Sequence, residues 1–240
     1  MKRIAGIAAG MALAITAACA VRLGGPAPVE YRTLSIAAAP GEPVSAVAAR
    51  IMEAEPDLVL LSAPHDSAWF GSIAEATGLE LSGPSRTSGS GLAFLTRRVE
   101  LLGDTSIVMG AAGGSRIHMH DALYEIDERR LIDLMIVRAD PVVDVSSVVR
   151  TLLSYEASDV MATATIVLGV EAADAAVADS IALRLRAAFE NAAECAGDSG
   201  ADRPAVRLLY RPPARIRCSG ASVLESYGRP IVATLVVGRF

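Results

Sequence analysis

The sequence predicts a layered α/β domain. Two patterns point there: short uncharged runs that are apolar throughout, as strands buried on both faces are, and intervening stretches whose apolar residues recur at helical spacing. Leu58-Val59-Leu60-Leu61, Thr163–Gly169 and Val232–Val237 show the first pattern, and Val44, Val47, Ala48, Ile51 and Met52 show the second. Length and composition agree. At 240 residues and 52% apolar, the chain can bury a large single core without disulfides or metals.

The first residues stand apart from that domain. Lys2 and Arg3 precede an uncharged run from Ile4 to Val21, rich in Ala and Gly, which is the pattern of a bacterial export signal. Thr16-Ala17-Ala18-Cys19 resembles a lipobox, in which cleavage leaves Cys19 as a lipidated N-terminus. Cleavage after Ala20 and a retained anchor helix are the alternatives, the run being near the lower length limit for spanning a bilayer. Residues 1–19 are therefore expected to be signal peptide and lipobox, 20–30 a tether, and 31–240 the folded domain. The expected location is the cell envelope, with the membrane as a partner through the lipid anchor.

Within the domain, Tyr31–Ala39 reads as a first strand, broken by Pro40-Gly41-Glu42-Pro43. Val44–Glu55 follows as a helix with one face for a sheet, and Pro56–Leu61 as a buried strand, a βαβ start. Trp69–Gly78 is a helix, Ser82–Ser90 a Ser/Gly loop and Gly91–Arg97 a strand. Val99–Met109 continues as a meander into the loop Gly110–Ser115. Leu131–Val137 is a strand, with Val142–Val149 expected to pair with it. After Thr163–Gly169 come an Ala-rich helix over Asp174–Asn191, a Gly/Asp loop over Cys195–Arg203, and short strands at Val206–Tyr210 and Arg215–Cys218. Gly228 and Pro230 mark the entry to the last strand.

Four stretches, in order, carry a resemblance. Pro56-Asp57-Leu58-Val59-Leu60-Leu61-Ser62-Ala63 is similar to Pro-Asp-Val-Val-Ala-Leu-Gln-Glu, and Gly91-Leu92-Ala93-Phe94-Leu95-Thr96-Arg97 to Gly-Asn-Ala-Ile-Leu-Ser-Arg. Val167-Leu168-Gly169-Val170-Glu171-Ala172 is similar to Ile-Leu-Gly-Gly-Asp-Phe-Asn-Ala, and Ser226-Tyr227-Gly228-Arg229-Pro230-Ile231 to Ser-Asp-His-Arg-Pro-Val. These resemble the motifs of the endonuclease/exonuclease/phosphatase family, the metal-dependent phosphodiesterases related to deoxyribonuclease I. The resemblance implies a four-layer α/β/β/α sandwich, a single deoxyribonuclease I-like domain of two pseudo-symmetric halves.

It also implies emptied slots. The family's metal-binding Glu corresponds to Ala63, its water-orienting Asp and Asn to Val170 and Ala172, and its closing Asp-His pair to Tyr227 and Gly228. The family's first-strand Asn falls at Ala37 or Ala38, and its earlier His near Ser146 or Ser147. Glu171 is expected to face away from the Val170 slot, because successive strand residues point to opposite faces. All three histidines, His65, His118 and His120, lie in the first half, so neither late histidine of the pattern exists. No catalytic residue, cofactor or metal is therefore expected, and the implied role is a non-catalytic binding or structural module. The alternative is a divergent magnesium-dependent phosphodiesterase or phosphatase using relocated carboxylates such as Glu171 or Asp174.

Other residues bound the partners. The net charge of -5 argues against a general nucleic-acid binder. Residues 201–240, however, carry seven Arg against Asp202 and Glu225, a surplus that suits an anionic ligand or a protein partner. His118-Met119-His120-Asp121 is the one local metal-like cluster; with no third ligand evident, an exposed loop or edge strand is the expected setting. His65-Asp66 reads as a solvated turn. Cys195 and Cys218 form an even pair that an oxidising compartment would allow to bond.

Overall fold

The computed structural model describes residues 27–82, 91–110, 116–127, 130–140, 144–156, 165–172, 174–192, 206–211, 216–224 and 230–238. In chain order the elements are β1 (Val29–Ala37), α1 (Val44–Ala54), β2 (Leu58–Ser62), α2 (Ser67–Thr77), β3 (Glu80–Ser82), β4 (Leu92–Thr96), β5 (Glu100–Gly110), β6 (Arg116–Asp127) and β7 (Arg130–Ala139). They continue with α3 (Val145–Glu156), β8 (Thr165–Glu171), α4 (Ala175–Leu185), β9 (Glu190–Asn191), β10 (Val206–Tyr210), β11 (Ile216–Val223) and β12 (Ile231–Val237).

The strands form two six-stranded sheets, ordered β11-β12-β1-β2-β4-β3 and β5-β6-β7-β8-β10-β9. Each sheet has one parallel pair at its centre, β1 with β2 and β7 with β8, joined through α1 and α3. The remaining pairs are antiparallel.

Side-chain alternation sorts the apolar residues into three clusters. Leu58 and Leu60 of β2 meet Leu134 and Ile136 of β7 and Val167 of β8 between the sheets. Val59 and Leu61 turn outward to Val47, Ile51, Phe70 and Ile73 on α1 and α2. Ile166 and Leu168 turn the other way, to Val148, Leu152 and Ile181 on α3 and α4. Helix, sheet, sheet and helix are thus four layers, and both faces of each central strand are buried, which is why those strands read as unbroken apolar runs. Gly169 faces the middle layer, where a Cβ would stand 2.9 Å from Leu60 Cδ2. Its missing side chain sets how closely the sheets approach.

Three local expectations are corrected. Val142–Val149 does not pair with β7: its described part enters α3, because Asp144 accepts a hydrogen bond from Ser147 N at 3.2 Å and Val145, Val148, Val149 and Leu152 share a helical face. The sequence around His118 is neither loop nor edge but β6, an interior strand between β5 and β7. Finally, α4 stops at Leu185, short of Asn191; Phe189 turns into the core under α3 and α4, and the chain enters β9.

Candidate functional site

Because β2, β7 and β8 run the same way relative to their sheets' parallel pairs, their C-terminal ends gather with the start of β4 and β6 at one rim between the layers. Three side chains of the second sheet form a row there. Register pairs His118 of β6 with Arg138 of β7, and Arg138 with Glu171 of β8. Glu171 follows Val167 and Gly169 on the inter-sheet face, and from the opposite sheet Ser62 Oγ donates a hydrogen bond to Glu171 Oε2.

The first sheet meets this row with small residues and backbone. Gly91 sits at φ +64°, a left-handed conformation, and its carbonyl accepts from Ala63 N at 2.8 Å. A Cβ at Gly91 would lie 2.1 Å from Ala63 O and 3.0 Å from Arg138 Nη1. Only glycine therefore lets the strand end pass beneath the guanidinium.

The electrostatics follow from burial. Burial pushes the Glu171 carboxyl above the usual range, with the Ser62 hydrogen bond and the Arg138 charge working against that shift. Burial lowers the His118 pKa, and Arg138 lowers it further, while Asp140 opposes. His118 Nδ1 is buried with no hydrogen-bond partner among the described residues. The row thus contains a carboxyl held toward its neutral form, a guanidinium, and an imidazole held toward its neutral form.

Three of the residues singled out from sequence turn their side chains to the helix layers. Ala63 packs in the cluster under α1 and α2, and Val170 and Ala172 pack in the cluster under α3 and α4. The residues beside them, Ser62 and Glu171, are the ones that face each other across the rim. Val170 and Glu171 do point to opposite faces of β8, as strand parity requires, but Glu171 is the one on the inner side. Tyr227, Gly228, Cys19 and Cys195 lie outside the described residues. Cys218 Sγ lies 3.4 Å from the Gly220 carbonyl oxygen.

Among the other candidates, Asp174 is occupied as the N-cap of α4, accepting from Val177 N at 2.8 Å, and Ser146 Oγ accepts from Arg184 at 2.7 Å on α3. Asp66 caps α2 and His65 stacks on Trp69 at 4.2 Å. His118 and His120 share the inter-sheet face, but Asp121 points to the helix layer, so the three do not converge. His120 is fully buried and stacks on Phe94 at 4.9 Å, its Nδ1 2.8 Å from Ser106 Oγ. Arg138 was not singled out from sequence. The available signal was its place as a charge closing the apolar run Leu131–Val137, at the end where strands of this class deliver functional groups.

The fold raises the question of a divalent metal. A hard cation such as magnesium needs several oxygen ligands, carboxylates above all. The described rim offers Glu171, already bonded to Ser62 and beside a guanidinium, and Asp140, which accepts from Arg116 N at 2.9 Å; no cluster of three His, Cys, Asp or Glu side chains able to hold a metal occurs among the described residues. These donors do not fit the ion.

The fold matches solved structures. An endonuclease/exonuclease/phosphatase family protein from Bacteroides thetaiotaomicron superposes with a TM-score of 0.69 at 12% identity, over 88% of this chain and 99% of that one. This chain has the endonuclease/exonuclease/phosphatase fold. TDP2 from D. rerio, solved with a single-strand DNA product, gives a TM-score of 0.61 at 13% identity over 86% and 98% of the two chains. ANGEL2, a 2′,3′-cyclic phosphatase, gives 0.54 at 7% identity over 87% and 95%. Proteins sharing the endonuclease/exonuclease/phosphatase fold thus include enzymes acting on phosphate esters. No family model and no curated protein matches the sequence.

Proposed function

We propose that this chain is an exported, lipid-anchored protein of the endonuclease/exonuclease/phosphatase fold that binds at its rim instead of hydrolysing phosphodiesters, serving as a binding or structural module of the cell envelope. The observation that carries the reading is the bond between Ser62 and Glu171. Hydrolysis on this fold would call for ionised carboxylates open to a metal and to water. Here the Glu171 carboxyl is turned onto a serine of the facing sheet, and burial favours its neutral form. Arg138 next to it favours an anionic ligand or an acidic protein surface, as does the surplus of Arg in residues 201–240 apart from Arg207, which is buried against Asp179.

A second reading has its own support. The row His118, Arg138 and Glu171 places an acid beside two nitrogen donors at one rim, which a divergent magnesium-dependent phosphodiesterase could use. One assay separates the two. Folded protein with magnesium or manganese and bis(p-nitrophenyl) phosphate is expected to give no turnover above buffer. Turnover that Glu171→Ala abolishes would overturn the binding-module reading and select the enzyme. The anchor is tested by Cys19→Ser, which is expected to abolish membrane association and signal processing; unchanged fractionation would remove lipidation from the proposal.

A further inference from the structure

A second polar group lies deeper than the rim, beneath the edge strands β3 and β5. On β6, His120, Ala122 and Tyr124 face the other sheet, and Asp104 of β5 pairs with Ala122, the small residue between them. Ser82 of β3 pairs with Phe94, on whose ring His120 stacks. Three polar atoms are left over here. His120 Nε2, Tyr124 Oη and Ser82 Oγ are buried without a hydrogen-bond partner among the described residues, and the three residues are 0%, 1% and 4% exposed. The Tyr124 hydroxyl lies beside Ser82, Thr96 and Asp104, yet meets none of them in hydrogen-bonding geometry. Buried polar atoms are rarely left so, and an ion or a water is the usual reason.

The tautomer of His120 says which. Its Nδ1 lies 3.1 Å from the Thr105 carbonyl oxygen, which can only accept, so Nδ1 carries the proton of the neutral ring. Nε2 then presents a lone pair. Facing it at 3.8 Å is Asp104 Oδ2, a second acceptor, so the pair calls for a cation between them. An imidazole steered through Nδ1–H by a backbone carbonyl is also how proteins present Nε2 to a metal. The span suits zinc, whose bonds of about 2.1 Å set tetrahedral neighbours about 3.4 Å apart. The Asp104 side chain is 39% exposed, so it can close that difference and gives the ion a way in from solvent. The Tyr124 and Ser82 hydroxyls supply oxygen donors for the remaining positions, directly or through water. We infer that His120 and Asp104 form a divalent-metal site of the zinc class between the sheet edges. With fewer than three His, Cys, Asp or Glu ligands, it binds more weakly than a closed four-ligand zinc site.

Titration of the purified full chain with zinc chloride, in competition with a chromophoric chelator, tests it. One ion per chain is expected, and cobalt(II) in its place should show visible ligand-field bands without a thiolate charge-transfer band. Asp104→Asn should weaken binding by about tenfold or more, since losing even an outer-shell partner of a metal ligand costs that much. Asp104 is partly exposed, so this variant keeps its fold, checked by circular dichroism. His120→Gln should weaken binding at least as far; where it fails to fold, Asp104→Asn decides alone. His65→Gln and His118→Gln should leave the affinity unchanged, since neither residue is a ligand. An absence of saturable binding, an affinity that Asp104→Asn leaves unchanged, a thiolate band, or a loss in either control would overturn the inference.

Discussion

The two sheets have the same plan and opposite chemistry. Position by position, β11-β12-β1-β2-β4-β3 corresponds to β5-β6-β7-β8-β10-β9, with the parallel pair third and fourth in each and a helix following each of its strands. Yet the buried polar residues of the first sheet are Thr33, Ser35, Ser62, Ser82 and Thr96, all hydroxyls, whereas the second buries His120, Asp121, Asp133 and Arg207 along with one hydroxyl, Thr165. At the rim the first contributes Ser62, Ala63 and Gly91, and the second contributes His118, Arg138 and Glu171. One half is a close-fitting backbone platform and the other carries the titratable groups. The same topology can therefore be kept while the ionisable residues concentrate on one side of the core.

The largest way to break that comparison is at the platform. Gly91→Ala should cost about 3 kcal/mol or more, since the new Cβ would meet Ala63 O at 2.1 Å in a backbone conformation that already disfavours it. Gly41→Ala is the control. Its φ of +75° imposes a similar conformational cost of about 1 kcal/mol, but the added Cβ meets nothing within 4 Å. Urea denaturation of both compares them; equal losses would mean that the rim of the first sheet is not sterically defined.

The next effect has the opposite sign and belongs to the second sheet. Asp133 is fully buried on its helix-facing side, and burial, together with Asp121 beside it, pushes its carboxyl up to about 10 from 3.8. The folded chain then holds a proton that the unfolded chain releases, so this contribution to stability is present below about pH 4 and is lost as pH rises toward 10. Asp133→Asn should therefore stabilise by about 2 kcal/mol at pH 8 and by little at pH 4. His120 acts on the other limb. Burial lowers its pKa, so the unfolded chain takes up the proton first and stability falls as pH drops below 6.5. Asp133→Asn should leave that acid loss in place, which thermal melts from pH 4 to 9 would show. An unchanged alkaline limb would place the proton elsewhere.

How much of this was legible in the sequence follows the same division. The platform strands β2, β4 and β12 were readable because they are buried on both faces, and an unbroken apolar run needs no partner information. β6 was missed because His118, His120, Asp121 and Glu125 interrupt its alternation, although His120 and Asp121 are buried. Val145, Val148 and Val149 suit a strand by composition and a helix by spacing, and the Asp144 cap with the α3 packing face decided for the helix. The rim was legible as a place, through the order of the four motifs. Its side chains were not, because a shift of one residue exchanges the two faces of a strand, and the sequence alone does not fix whether Ser62 or Ala63, Glu171 or Val170, points inward.

The smallest expected effect tests whether the two halves act on each other at all. Ser62 and Glu171 are 109 residues apart and belong to different sheets, so their hydrogen bond is a direct link between platform and titratable row. Ser62→Ala should destabilise by about 1 kcal/mol, since it leaves a half-buried carboxyl without its donor. Glu171→Gln should cost less, and at alkaline pH should approach zero. The wild-type carboxyl has its pKa raised by burial, so its own contribution declines as pH rises above the ordinary carboxylate range. A double-mutant cycle over the two positions is expected to give a coupling of about 0.5–1.5 kcal/mol at pH 5 that shifts with pH, because only one partner titrates. Coupling near zero at every pH would mean that the rim is two independent surfaces, one of small residues and one of charges, and that the Ser62 contact does not hold Glu171 in place.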